Sequence, residues 1–228
     1  MENNLEKVLL HMFLNKFDQI SSEKLEKIFM TFFGCSISDC PTHVLISPIG
    51  FLLNRFENRW PVEVLFRGWW PFKITSKSYA LVKVPQHAPV SDAVIALTLA
   101  KKNIYFIGLC GSINTHFQIG DIVVPRSVKM GAKVLKNYKL VAQYPTVTTM
   151  CVNNFLDQDY TGVQNEFQVV DMESFYVLKY GNRPKIFLIV SDRPLVEPFY
   201  EIGNRIYEKM NLAVDALAKY LEGEFRNG

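Results

Sequence analysis

Residues 104–113 read Ile-Tyr-Phe-Ile-Gly-Leu-Cys-Gly-Ser-Ile, and their reading decides the fold. Ile104 to Leu109 is a short apolar run, the pattern of a parallel strand buried on both faces. Just upstream, residues 90–102 read as a helix, with Ser91 as its candidate N-cap. Before that, Tyr79 to Val84 is a second strand-like run. Strand, helix, strand is a βαβ unit, and its crossover is expected to be right-handed. In a sheet built from such units, ligands sit at the carboxyl ends of the strands. Gly108 and Gly111 fall at that end. Glycine has no β-carbon, so backbone there can approach a ligand closely; a tight turn is the competing use.

The same pattern continues outward. Asp121 to Pro125, Leu140 to Val147 and Lys185 to Ser191 read as strands. Met172 to Tyr180 reads as a short helix closed by Gly181. Residues 199–222 form a last helix with Ile202, Ile206, Met210, Val214, Leu217 and Leu221 on one face. On the N-terminal side, His43 to Pro48 is strand-like. Residues 61–85 alternate turn signals, Arg67-Gly68 and Trp70-Pro71, with strand-like runs such as Val62 to Phe66. Residues 4–17 and 23–33 have helical spacing, the second with Ser21 or Ser22 as cap and Gly34 as stop. The expected architecture is one α/β domain over 41–228, a central mixed, largely parallel twisted sheet flanked by helices. A helical extension over 1–40 is expected to dock on it or on a partner subunit.

Composition narrows the function classes. The 228 residues suit one large domain or two small ones, and no linker or repeat divides them. Hydrophobic residues at 49% against 21% charged exclude disorder for the bulk of the chain. A net charge of +3 is too weak to suggest nucleic-acid binding, so Trp60, Trp69 and Trp70 are read as packing groups, not as a base-stacking platform. No apolar run approaches the ~18 residues of a membrane span. Glu2 and Glu6 lie in an amphipathic pattern unlike a signal peptide, which points to a reduced, cytoplasmic protein. Cys35, Cys40, Cys110 and Cys151 are then expected as free thiols, and Cys35-x4-Cys40 lacks the second ligand pair a zinc site needs.

Three segments, taken in order, resemble the nucleoside phosphorylase family, which includes purine nucleoside phosphorylases, uridine phosphorylases and methylthioadenosine nucleosidases. They are 104–113 followed by Gly120-Asp-Ile-Val-Val-Pro125, Val170-Asp-Met-Glu-Ser174, and Ile189-Val-Ser-Asp192. The resemblance covers about residues 75–222. It implies a small-molecule nucleoside as substrate, cleaved at its N-glycosidic bond, in a homo-oligomer without metal or organic cofactor. It implies that Glu173 accepts hydrogen bonds from the two ribose hydroxyls, with Met172 beneath the sugar. Asp192 would protonate a purine leaving group, assisted by Arg205, thirteen residues later. Phe155 and Val170 would flank the base. The absence of a Gln-x-Arg set between 150 and 170 favours a purine. Taken alone, Glu173 is a first-turn acid complementing a helix dipole, Asp192 a loop cap, Val170 core, and Arg205 a solvated helix residue.

The phosphate ligands of the family are not matched. Phe106 stands where the strand Arg is expected, Leu109 where a Ser or Thr is expected, and Pro85-Gln-His-Ala-Pro89 replaces a Gly-rich loop. Phosphate needs charge-assisted donors, and Phe supplies none. His87 and Arg55, the latter near Ser47-Pro-Ile-Gly50, are the remaining candidates for a phosphate or water site. The resemblance therefore implies a nucleoside phosphorylase with phosphate as co-substrate, a hydrolytic nucleosidase as the alternative, and a nucleoside-binding or assembly protein that has lost catalysis as the third reading.

Overall fold

A computed structural model describes residues 20–114, 116–154, 160–202 and 205–226. The helix expected over 4–17 and the candidate Phe155 lie outside these residues. Strand β5 (Asn103–Ser112) is the axis of the sheet. Along one edge it pairs in parallel with β10 (Lys185–Asp192). Along the other it pairs first with β1 (His43–Ser47), from Asn103 to Phe106, and then with β9 (Val169–Asp171), at Gly111 and Ser112. β1 and β9 therefore diverge along one edge of β5, which opens a crevice at its carboxyl end. This is the kind of switch point where open α/β sheets bind ligands.

Two subassemblies hang from that axis. Beyond β1 come β4 (Tyr79–Lys83), in parallel, then β3 (Phe72–Thr75) and β2 (Val62–Phe66), both antiparallel. On the other side, β10 pairs with β6 (Ile122–Met130), β6 with β8 (Thr146–Cys151), and β8 with β9, which returns to β5. Strands β5, β10, β6, β8 and β9 thus close into a ring. β7 (Lys133–Lys136) adds a hairpin to β6.

Side chains alternate along the strands and fill two cores. Leu45, Leu81, Ile107, Phe187 and Ile189 meet α2 (Gly50–Arg59) and α6 (Arg205–Arg226). Ile46, Val82, Phe106, Ile186 and Leu188 meet α1 (Ser22–Phe33), α3 (Val90–Leu99) and α4 (Ser174–Tyr180). A short α5 (Phe199–Ile202) follows β10. No helix among the described residues is long and apolar enough to cross a membrane. The four cysteines are buried free thiols.

The elements differ from the expectation at definite places. The chain forms α2 where none was expected, and β3 and β7 are also new. β6 continues past Pro125 because a register shift between Pro125 and Ser127 absorbs the missing N–H. Residues 140–145 are not strand; β8 begins at Thr146. Helix α3 ends at Leu99, and its N-cap is Pro89. Ser91 lies in its first turn and donates its hydroxyl to the Ala88 carbonyl at 2.7 Å.

Helix α1 matches the expected span and is part of the core. Ser21 caps it by accepting the Lys24 N–H, and Gly34 ends it at φ +73°. Phe29 and Phe33 are fully buried. Its last turn holds the β2–β3 turn, since Trp69 and Trp70 donate their N–H groups to the carbonyls of Thr31 and Phe32. A β-carbon on Gly68 would stand 2.5 Å from both the Gly34 nitrogen and the Phe32 oxygen. Gly68→Ala is expected to force the two backbones apart and lower the melting temperature by roughly 5–10 °C. Gly223→Ala, in open space on α6, is expected to raise it slightly. Thermal melts of the two variants check this, and equal melting temperatures would contradict it.

Candidate active site

The crevice is organised around Gly111. In register it lies between Val170 of β9 on one side and Asp192 of β10 on the other. The two segments singled out in the sequence are therefore brought together by the end of one strand. A register shift between Val190 and Asp192 interrupts the ladder there.

After Val170 the chain turns into α4 under the control of Asp171. This carboxylate has no exposed surface. It accepts the Ser174 N–H at 2.7 Å, the Ser174 hydroxyl at 2.7 Å and the Glu173 N–H at 3.3 Å. These bonds satisfy donors at the start of α4 and fix the backbone of Glu173. Glu173 is 4% exposed, and its Oε1 accepts the main-chain N–H of His87 at 3.0 Å. His87 reaches it from the segment after β4 in a left-handed conformation, φ +58°. One hydrogen bond thus ties the β4 side of the crevice to the β9 side.

The electrostatics follow from burial. Desolvation pushes Glu173 upward, opposed by the N–H groups of His87 and Met172. Asp171 is pushed up to about 7, first by burial and then by the charge of Glu173, with the Ser174 hydrogen bonds opposing. On the far side, Asp192 is 7% exposed. The Ser191 hydroxyl lies 2.6 Å from its Oδ1 and 3.2 Å from the Cys110 carbonyl oxygen. Tyr160 is pushed up to about 12 by burial and by the charge of Asp192, so its ring stands within electrostatic reach of that carboxylate. Tyr160, Ile113, Val152, Phe167 and Val170 form an apolar cluster, with Met172 packed against it. The site combines two nearly buried carboxyl groups with an apolar wall, an arrangement suited to holding hydroxyls at one end and exchanging a proton with a ring at the other.

Other expected residues fall elsewhere. The Arg55 guanidinium binds Asp215 of α6 through two bonds, 3.0 and 2.6 Å. His87 contributes its main-chain N–H to Glu173. The space beside Gly108 is filled by the Phe106 ring, 2.7 Å from where a β-carbon would stand. That beside Gly111 is filled by Pro194, also at 2.7 Å. Both glycines therefore admit neighbouring protein groups. Helix α6 begins at Arg205.

Asp171, Ser191 and Tyr160 were not singled out as functional from the sequence. Asp171 carried a signal, because an Asp directly before the expected helix from Met172 is an N-cap candidate. Tyr160 carried none, since only the fold brings it near Asp192. Beside Asp192, the Arg193 Nε is buried without a hydrogen-bond partner.

A carboxyl raised in the folded state stabilises the fold at low pH and loses that contribution as pH rises through its folded value. For Asp171 the window runs from about 4 to about 7. The wild-type melting temperature is expected to fall by about 5 °C more than that of Asp171→Asn between pH 4 and pH 8. Parallel slopes in calorimetry would contradict this.

No protein-family model matches the sequence, and no curated protein matches it in sequence. Solved structures do match the fold. An AMP nucleosidase from Bacteroides thetaiotaomicron superimposes with a TM-score of 0.64 at 16% identity, over 89% of this chain and 98% of that one. A methylthioadenosine/S-adenosylhomocysteine nucleosidase from Campylobacter jejuni gives 0.68 at 9% identity, over 80% and 99%. A uridine phosphorylase from Vibrio fischeri gives 0.65 at 15%, over 81% and 93%. The chain has the fold shared by these nucleosidases and nucleoside phosphorylases.

Proposed function

We propose that the protein cleaves the N-glycosidic bond of a purine-type nucleoside, with water as the acceptor. The observation that supports the reading is the placement of Asp192 and of Val170, three residues before Glu173, on the two sides of Gly111, with both acidic side chains nearly buried. In this reading the Glu173 carboxylate, held by the main-chain N–H of His87, accepts the ribose hydroxyls. Its negative charge favours the cationic sugar that develops as the bond breaks. Asp192 delivers a proton to the departing base, and the neighbouring Ser191 hydroxyl orients its carboxyl group. The Tyr160–Val170 cluster supplies the apolar wall for the base. The reaction so drawn needs no metal or organic cofactor. The family resemblance adds the proposal of a homo-oligomer, and the four free thiols fit the proposal of a cytoplasmic setting.

Water is preferred to phosphate for a physical reason. Phosphate requires charge-assisted donors. Phe106 is fully buried in the apolar core, Leu109 packs against the other core, and Arg55 is neutralised by Asp215. Phosphorolysis is the second reading, favoured by the phosphorylases among the structural neighbours.

Base release from adenosine, inosine, guanosine, methylthioadenosine and uridine, each with and without phosphate, tests the proposal. Release of a purine independent of phosphate is expected. Release only with phosphate would make the protein a phosphorylase, and no release would leave a binding protein. For the best substrate, Asp192→Asn is expected to lower kcat by about 10²–10⁴-fold with little change in KM. Glu173→Gln is expected to lower kcat/KM by at least about 10²-fold. Full turnover by Asp192→Asn would exclude the mechanism.

A further inference from the structure

A second concavity lies between α2 and the β2–β3 hairpin and reaches Gly50 at the start of α2 and Val84 and Pro85 after β4. It encloses about 720 Å³, and neither Glu173 nor Asp192 lines it. Its floor is a row of residues in register across three strands: Leu65 of β2, Lys73 of β3 and Leu81 of β4. Leu53 of α2 forms one wall, and Trp69 and Trp70 stand at the hairpin turn. A space of this size suits a ligand of two or three rings, since small-molecule sites run to about 300–1,000 Å³.

Two features define what fits. Trp69 is 70% exposed, yet its backbone is anchored by its N–H to Thr31, at 3.0 Å, and its ring lies 5.3 Å from Phe32. An exposed aromatic ring on a pinned backbone is a ready surface, because little freedom is lost when something stacks on it. The charges are unbalanced. Glu57 is the one carboxylate of the lining, and Lys73 engages it at 2.6 Å. Arg67 and Lys83 line the same cleft and have no carboxylate partner among the described residues. The cleft is therefore apolar, aromatic and doubly cationic.

We propose that this cleft binds a small organic anion with a planar aromatic body, the ring lying against Trp69 and the acid group facing Arg67 and Lys83. The concave shape and the net charge favour such a ligand over a second copy of the chain. A second copy would have to bring its own negative charge to this face.

Anilinonaphthalene sulfonate, two aromatic systems and one sulfonate, is the probe. It is expected to bind the intact protein one to one, with energy transfer from tryptophan. The uncharged N-phenylnaphthylamine is expected to bind at least about tenfold more weakly. Trp69→Leu and the double variant Arg67→Gln/Lys83→Gln are each expected to weaken the sulfonate by about tenfold or more. Lys83→Gln alone, an exposed change that leaves the core untouched, is expected to weaken it several-fold. An excess of purine nucleoside is expected to leave binding unchanged, so failure here is separate from failure of the nucleosidase reading. Equal affinity for the two probes, unchanged affinity in the variants, or displacement by nucleoside would overturn the proposal. So would sedimentation showing that Trp69→Leu splits an oligomer, which would make a second copy the occupant.

Discussion

Everything in this molecule depends on one strand being shared among three. β5 must satisfy β10 along one edge and, along the other, β1 at its start and β9 at its end. Backbone donors and acceptors in a sheet cannot be left unpaired inside a protein. The two partners on the shared edge therefore have to separate within a few residues, and the gap between them is the crevice. Gly111 sits where the constraint is tightest, between Val170 and Asp192, with Pro194 folded into the space a β-carbon would take. The chemistry of the site is thus inherited from the topology of the sheet.

The crevice is held together by acids that are costly to bury. Asp171 carries three hydrogen bonds from the start of α4, and Glu173 carries one from His87 across the gap. Each bond favours the charged carboxylate, while burial, and at Asp171 also the charge of Glu173, favours the neutral form. Near neutral pH the two tendencies are close to balance at Asp171. A partner that donates hydroxyls to Glu173 would relieve part of that cost, which is the physical reason to look for a polyol there. On the other side of Gly111, the Ser191 hydroxyl and the Tyr160 ring surround Asp192 with a donor and an apolar wall.

Much of this was legible in the chain. The apolar run from Ile104, the capped helix from Ser22 and the closing amphipathic helix follow from local rules of spacing and capping. Their order gave the α/β class. Glu173, Met172, Val170 and Asp192 were named from the family resemblance of their segments, since local rules alone read them as a first-turn acid, packing groups and a loop cap. Helix α2 was missed although Leu52, Leu53 and Phe56 have helical spacing, because Ile49 supplies no side-chain cap and Pro48 and Gly50 read as a loop. Strand β6 was cut short at Pro125, whose missing N–H is absorbed by an irregularity no local pattern announces. The pairing of Arg55 with Asp215, 160 positions away, could not be read from the chain, and Tyr160 was overlooked for the same kind of reason. Long-range pairing, not propensity, is what the linear pattern conceals.

The most direct measurement is a crystal structure of the protein with a purine C-nucleoside. The carbon–carbon link between base and sugar in such a ligand resists cleavage, so it stays whole in the site. Both ribose hydroxyls are expected within hydrogen-bonding distance of the Glu173 carboxylate. The imidazole edge of the base is expected to face Asp192, with the ring against Tyr160 and Val170. A ligand seated elsewhere, or one in the crevice whose sugar does not touch Glu173, would contradict it.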